Sequence, residues 1–275
     1  MRTAGRFRTC MIGEHQMPRL DANIDLLFTE VPFADRFQAS RDAGIEAVEI
    51  LSPYPHGAEA LTAAARAADT GIVLINSRMP DPASGDIGYA ARPDRVEAFQ
   101  ALAIEAVEMA AAIGAPRIHM VAGRGDAESD AARRCFVDNL RMAADLAARS
   151  GIALMLEPLN TVDRPGYYLT TNRQALDLID RIGRENVRLQ FDAYHTQIMT
   201  GDLTRALRDC RDHIGHIQIA NPPDRHEPGA GEIDFVWFLN AVDRLGYDGP
   251  VGLEYAPSTT TDASLDWFRR NGFLG

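Results

Sequence analysis

Six polar side chains sit at or near the ends of short apolar runs, and their types suit a metal centre. Asn76 closes GIVLIN, His119 lies in PRIHMV, Glu157 in LMLEPLN, Asp192 in LQFDAYH, Gln218 in HIQIAN and Glu254 in GLEYAP. Each alone has a plain reading. A lone Glu157 could face solvent or pair with an arginine, and a lone Gln218 could be a satisfied buried amide. The set reads differently. Carboxylates gathered away from water repel one another and lose hydration unless something neutralises them. A divalent cation held by Glu157, Asp192, Gln218 and Glu254 is the simplest neutraliser. All-oxygen donors favour Mg²⁺ or Mn²⁺ over softer metals. Coordination positions left open would take substrate oxygens.

Cationic groups lie beside this set. His195 follows Asp192 by three residues, at the expected start of a loop. Arg225 and His226 lie in NPPDRHEPGAGEIDF, where prolines and glycines dictate a shaped loop rather than a helix. Three carboxylates and one divalent ion leave a net negative site. An anionic substrate then needs compensation, which Arg225 and His195 could supply; Arg225 is otherwise a solvated loop arginine. Asn76 and His119 are further candidates for substrate contact. His226, Glu227 and Glu232 receive no role, and His15, His56 and His213 read as exposed or structural.

The elements that must position these residues alternate between two textures. Short Val/Ile/Leu runs predict strands at 20–26, 47–51, 72–76, 117–121, 152–157, 187–192, 216–220 and 251–255. Ala/Arg/Glu/Asp stretches with helical spacing predict helices near 33–43, 58–70, 93–113, 129–150, 171–182, 202–211, 234–246 and 261–271. Glycines such as Gly114, Gly183 and Gly246 follow the helical stretches, where a residue free to take positive φ closes the last turn. Runs such as GIVLI and GIALML are apolar on both faces, as parallel strands covered on both sides must be. Eight strand–helix pairs predict a single (β/α)₈ barrel over residues 19–275. A doubly wound open sheet is the competitor, and the first strand–helix turn lacks its GxGxxG signature. In a barrel, groups at the carboxyl ends of the strands share one mouth, which is where the polar set falls. The connections 77–92 and 221–233 are long enough to suggest functional loops.

The chain has 275 residues, 46% hydrophobic, and a formal net charge of −11. An acidic surface disfavours nucleic acid and anionic membrane as partners. No run approaches a membrane span. Cys10, Cys135 and Cys210 match no disulfide or metal framework, so reduced thiols and a cytoplasmic location are expected. Residues 1–18 are expected to lie outside the fold, with Met17 a second candidate start. The sequence leaves the oligomeric state open.

Longer motifs carry a resemblance. LEPLN, LQFDAYHTQIMTGDL, GHIQIANPPDRHEPGAGEIDF, GLEYAP, VLINS, GAPRIHMVAG and DANIDLLF…AGIEAVEI resemble the hydroxypyruvate isomerase family over residues 20–270, nearly the whole chain. That family belongs with the xylose-isomerase-like barrels, alongside ketose 3-epimerases, inosose dehydratases and endonuclease IV-type enzymes. The resemblance implies a (β/α)₈ barrel binding a divalent metal through Glu157, Asp192, Gln218 and Glu254, with Glu157 and Glu254 also moving protons. It implies interconversion of hydroxypyruvate and tartronate semialdehyde through a cis-enediolate. Ketose epimerases usually carry histidine where this chain has Gln218. Relatives acting on 2-oxotetronate share much of the pattern, so the particular 2-oxo acid stays open. A dehydratase or a sugar epimerase on the same barrel is the next alternative. A nuclease would need a basic groove and a histidine-rich cluster, and a non-catalytic barrel would not need the carboxylates.

Overall fold

The structure is a computed structural model that describes residues 18–81, 83 and 85–275. Eight parallel strands close into a barrel in chain order. They are β1 (Leu20–Asn23), β2 (Ala47–Ile50), β3 (Gly71–Asn76), β4 (Arg117–His119), β5 (Ala153–Leu156), β6 (Val187–Asp192), β7 (Ile214–Ile219) and β8 (Val251–Leu253). The helices are α1 (Arg36–Asp42), α2 (Ala58–Ala67), α3 (Val96–Ile113), α4 (Asp130–Ala148), α5 (Asn172–Ile182), α6 (Ala193–Met199), α7 (Leu203–Cys210), α8 (Phe235–Leu245) and α9 (Thr261–Arg270). The closed ring excludes the open-sheet alternative. Most of residues 1–18 lie outside the described residues, as do His15 and Cys10. Cys135 and Cys210 are free thiols. No described helix is long and apolar enough to cross a membrane.

Local chemistry sets the helix ends. The side chains of Ser129, Thr171, Asp234 and Thr260 accept backbone N–H bonds at the starts of α4, α5, α8 and α9. Gly114, Gly183 and Gly246 take the left-handed conformation at the ends of α3, α5 and α8. Along α4, Phe136, Leu140, Ala143, Ala144 and Ala147 recur at helical spacing and are buried against the barrel.

Two-residue alternation sorts the strands. On β6, Phe191 faces outward against Phe238 of α8, with ring centroids 6.3 Å apart. Its neighbours Gln190 and Asp192 face inward, and Gln190 bonds to Gln218 of β7. Strand register then sets heights in the interior: Asp192 lies beside Gln218, Gln190 beside His216, and Asn76 beside His119. Several expected strand ends, including Leu26, Leu51, Val121 and Tyr255, lie past the ladder, where the chain has turned over the mouth. One expected loop is a helix. The segment after β6 forms α6, because the Asp192 side chain accepts the Tyr194 N–H and caps it.

The long connection after β3 packs on the one after β4. A Cβ at Gly123 would stand 1.8 Å from the Gly88 oxygen, and Gly123 has φ 78°. Gly123→Ala is therefore expected to destabilise the fold by more than about 1 kcal/mol, from close contact and left-handed backbone together. Urea unfolding of both proteins measures it, and equal midpoints would show that the two loops do not depend on that approach. Together these loops bring Met79, Ile87 and Val121 to one wall of the barrel mouth.

Candidate active site

The mouth holds a small cavity of about 90 Å³. Asn76, His119, Glu157, His195, Arg225 and Glu254 line it, with Leu51, Met79, Ile87, Val121, Leu159 and Arg164. Asp192 and Gln218 sit at its floor, 1% and 0% exposed. The strand ends thus bring all eight sequence-predicted site residues to one end of the barrel.

Glu157 is the next residue after β5, and one of its oxygens, Oε1, is buried without a hydrogen-bond partner among the described residues. Its Oε2 accepts from Gln190 Nε2 at 3.1 Å and lies 3.1 Å from His119 Nδ1. Asp192 turns Oδ1 to the start of α6 and leaves Oδ2 buried without a hydrogen bond among the described residues. Glu254, just past β8, meets Arg225: Nη2 is 2.6 Å from Glu254 Oε2 and 3.7 Å from Asp192 Oδ2. The guanidinium also lies over the Tyr194 ring, 5.1 Å from its centroid. The Arg225 carbonyl accepts the Ala256 N–H, which ties this loop to the end of β8.

Burial and mutual repulsion govern the ionisation of this group. Burial first, then Glu254 and Asp192, raise the Glu157 pKa well above the usual carboxylate range. Burial raises Glu254 to about 8 and Asp192 to about 6, and Arg225 opposes both shifts. Burial alone lowers Arg225, but Glu254, Asp192 and Glu157 outweigh it, and the guanidinium stays charged. His119 falls to about 3 by burial. His195 falls well below its ordinary value, first by burial and then by Arg225, so both imidazoles are neutral near pH 7.

The tautomer of His195 follows from its partner. The Asn160 backbone N–H donates to Nδ1 at 3.1 Å, so Nδ1 is an acceptor and the ring proton sits on Nε2. Nε2 faces the site, 3.7 Å from Glu157 Oε1 and 3.6 Å from Asp192 Oδ2. Glu157, Asp192 and His195 offer atoms within 4.8 Å of one another. A protonated Nε2 is a donor for a substrate oxygen rather than a ligand.

The donor set fits a hard divalent cation. Crowded carboxylates with unpartnered buried oxygens are what such an ion would satisfy. Gln218 is held so that its amide donates downward to Glu49 Oε1 at 2.9 Å. Its carbonyl accepts from Gln190 at 2.5 Å and faces the Glu157 side.

A second polar layer beneath the site was not anticipated. Glu49 on β2 lies 2.9 Å from His216 Nε2, and Asp21 on β1 is fully buried. Gln190 joins this layer to Glu157. Most barrels of this type fill the interior with branched apolar side chains. The signal was present as polar residues two apart within apolar strands, in VRLQFD and GHIQI. Arg164, on the loop after β5, was also missed, since nothing in its flanking sequence marks it as a pocket residue.

Comparison with known proteins places the fold in a family. Residues 37–271 match the model of the xylose isomerase-like TIM barrel family. The chain is 41% identical to the 2-oxo-tetronate isomerase of Cupriavidus necator, over 92% of this chain and 98% of that protein. It is 39% identical to the hydroxypyruvate isomerase of Escherichia coli, over 91% and 98% of the two chains. A solved structure described as AP endonuclease, family 2, from Brucella melitensis superposes with TM-score 0.89 at 38% identity, covering 92% of this chain and 99% of its own. With carboxylates at three strand ends and relatives of these names over nearly its full length, the chain belongs to the xylose isomerase-like TIM barrel family and is an isomerase.

Proposed function

We propose that the protein interconverts a small 2-oxo acid bearing an adjacent hydroxyl with its aldehyde or ketone isomer, hydroxypyruvate and tartronate semialdehyde being the first pair to test. The observation that carries this reading is two glutamates, Glu157 and Glu254, reaching one 90 Å³ cavity from the ends of two non-adjacent strands, β5 and β8, beside neutral histidines. The volume suits a molecule of a few heavy atoms. Glu157, Asp192, Gln218 and Glu254 would hold a divalent ion, Mg²⁺ or Mn²⁺, which when bound polarises the ketone and takes up charge on the substrate oxygens.

The chain's own residues do the rest. One glutamate removes the proton from C3 and the other delivers a proton to C2. Burial raises both carboxyls above the usual carboxylate range, which makes their ionised forms stronger bases. Arg225 and the Nε2–H of His195 face the two reacting oxygens, where negative charge grows as the enediolate forms. Asn76 and His119 close the same cavity, and Ile87 and Val121 keep bulk water from the intermediate.

The test is isotopic. In D₂O at low conversion, the product from hydroxypyruvate is expected to carry deuterium at C2, because the proton removed at C3 is not the one delivered. Substrate deuterated at C3 should pass one deuterium to ordinary water and keep the other on the aldehyde carbon, with none at C2. Full retention of the label at C2 would replace the two-base route by a hydride shift. 2-Oxotetronate, assayed in parallel, is the alternative substrate, and the relatives bearing that name favour including it. Turnover of neither acid would refute the reading.

A further inference from the structure

Beside the catalytic cavity lies a second chamber of about 70 Å³, lined by Gly85, Ile87, Arg124, Asp163, Arg164, Pro165 and Tyr167. Ile87 and Arg164 line both spaces, so the chamber continues the cavity outward from the carboxylates. Its walls are fastened together. Arg124 bridges to Tyr167, and the Gly125 N–H donates to the Gly166 carbonyl at 3.2 Å. The Arg124 guanidinium lies so close over Gly85 that a Cβ there would come within 2.6 Å of Nη2. Two guanidiniums therefore border one chamber. Among the described residues, neither makes a side-chain hydrogen bond or ion pair. The neighbouring carboxylate does not serve them: Asp163 Oδ2 accepts from Asn160 and from the Tyr194 hydroxyl.

Charge balance says what they are for. Within the cavity, the three carboxylates Glu157, Asp192 and Glu254 would be matched by one divalent ion together with Arg225, which is already joined to Glu254. The carboxylate of a 2-oxo acid then brings one negative charge with no cation assigned to it. Among the described residues, Arg164 is the other guanidinium on the cavity wall. We propose that Arg164 seats the substrate carboxylate, with Arg124 behind it, and that this pair makes the site selective for acids over neutral hydroxyketones. This rests on the isomerase reading above and changes one expectation: Arg225 serves the reacting oxygens and Arg164 the acid group.

Arg164 is exposed at the rim, and among the described residues its side chain holds no hydrogen-bonded or ion-paired group in place, so substitutions there should leave the fold intact. Steady-state kinetics on hydroxypyruvate and 2-oxotetronate, with the metal-loaded protein, are the test. Arg164→Met is expected to raise KM by about 10- to 100-fold, the span of a lost charged hydrogen bond, with kcat within a few-fold of the parent. Arg164→Lys should fall between the two, and Arg164→Glu should be worse than Arg164→Met. Arg124→Met should raise KM by a smaller factor. A KM graded by the charge at one position is not what a merely structural role would give. Unchanged KM in both Arg164→Met and Arg164→Glu, with an active parent, overturns this inference and leaves the isomerase reading standing. A parent that turns over neither acid removes both.

Discussion

Removing divalent ions is expected to abolish activity, and Mg²⁺ or Mn²⁺ should restore it. The argument is electrostatic. Glu157, Asp192 and Glu254 are buried at 3%, 1% and 5% exposure, and burial raises all three above the usual carboxylate range. A group whose pKa is raised holds its proton to higher pH. At neutral pH without a cation, part of this set is carboxylic acid, which neither ligates a metal nor takes a proton from carbon. A bound cation must displace those protons. Its apparent affinity should therefore strengthen as pH rises through the window set by Asp192 near 6 and Glu254 near 8, and weaken as pH falls through it. Calorimetric titration with Mn²⁺ across that range, in buffers of different ionisation enthalpy, reads both affinity and protons released. Full turnover in protein shown by elemental analysis to hold no divalent ion would refute the metal centre. A pH-independent affinity would show that the carboxyls are already ionised.

The sequence and the barrel agree most closely where period and position carry the information. Eight apolar runs alternating with helical stretches contain enough to draw β1 to β8, and closure follows from their number. Residues at the strand ends then share a mouth by topology alone, which is why Glu157, Asp192, Gln218 and Glu254 were legible as a group. What lay deeper was not. Asp21, Glu49 and His216 sit mid-strand; the two-residue spacing of His216 and Gln218 puts them on one face but does not say whether that face points inward among partners or outward. Only the closed ring brings Glu49 of β2 to Gln218 and His216 of β7. Arg225 was legible only in part. Its loop was recognisable from Pro222, Pro223 and the glycines, but its pairing with Glu254 depends on that loop folding back onto the end of β8, where the Arg225 carbonyl accepts the Ala256 N–H. Helix α6 was missed because seven residues with Tyr, His and Thr have little helical propensity, and its start is set by the Asp192 cap. Arg164 depends on two loops meeting, and loop approach leaves no periodic trace.

Glu157→Gln and Glu254→Gln should each lower kcat by about 10²- to 10⁴-fold, the usual contribution of a positioned general acid or base. Both changes are nearly isosteric. The glutamine carbonyl in place of Glu157 can still accept from Gln190, and the one in place of Glu254 can still accept from Arg225. Each also removes a buried carboxyl whose charged form is costly, so melting temperatures should stay near that of the parent or rise. The two roles of each glutamate separate by measurement. Loss of a ligand weakens Mn²⁺ binding and is offset by saturating metal, whereas loss of a base leaves kcat low at saturation. The two variants should then differ from each other in D₂O. The one lacking the C3 base should show no exchange of the C3 hydrogen. The one lacking only the C2 acid should still exchange C3 hydrogen with solvent while forming little product. That contrast assigns the glutamates by experiment, since both carboxyls face the same cavity and both are raised by burial. Combining the substitutions should cost far less than the product of the single effects, because groups that act on one intermediate are not additive. Near-normal kcat in either variant would reduce that glutamate to a ligand or a bystander and leave a single residue serving both carbons.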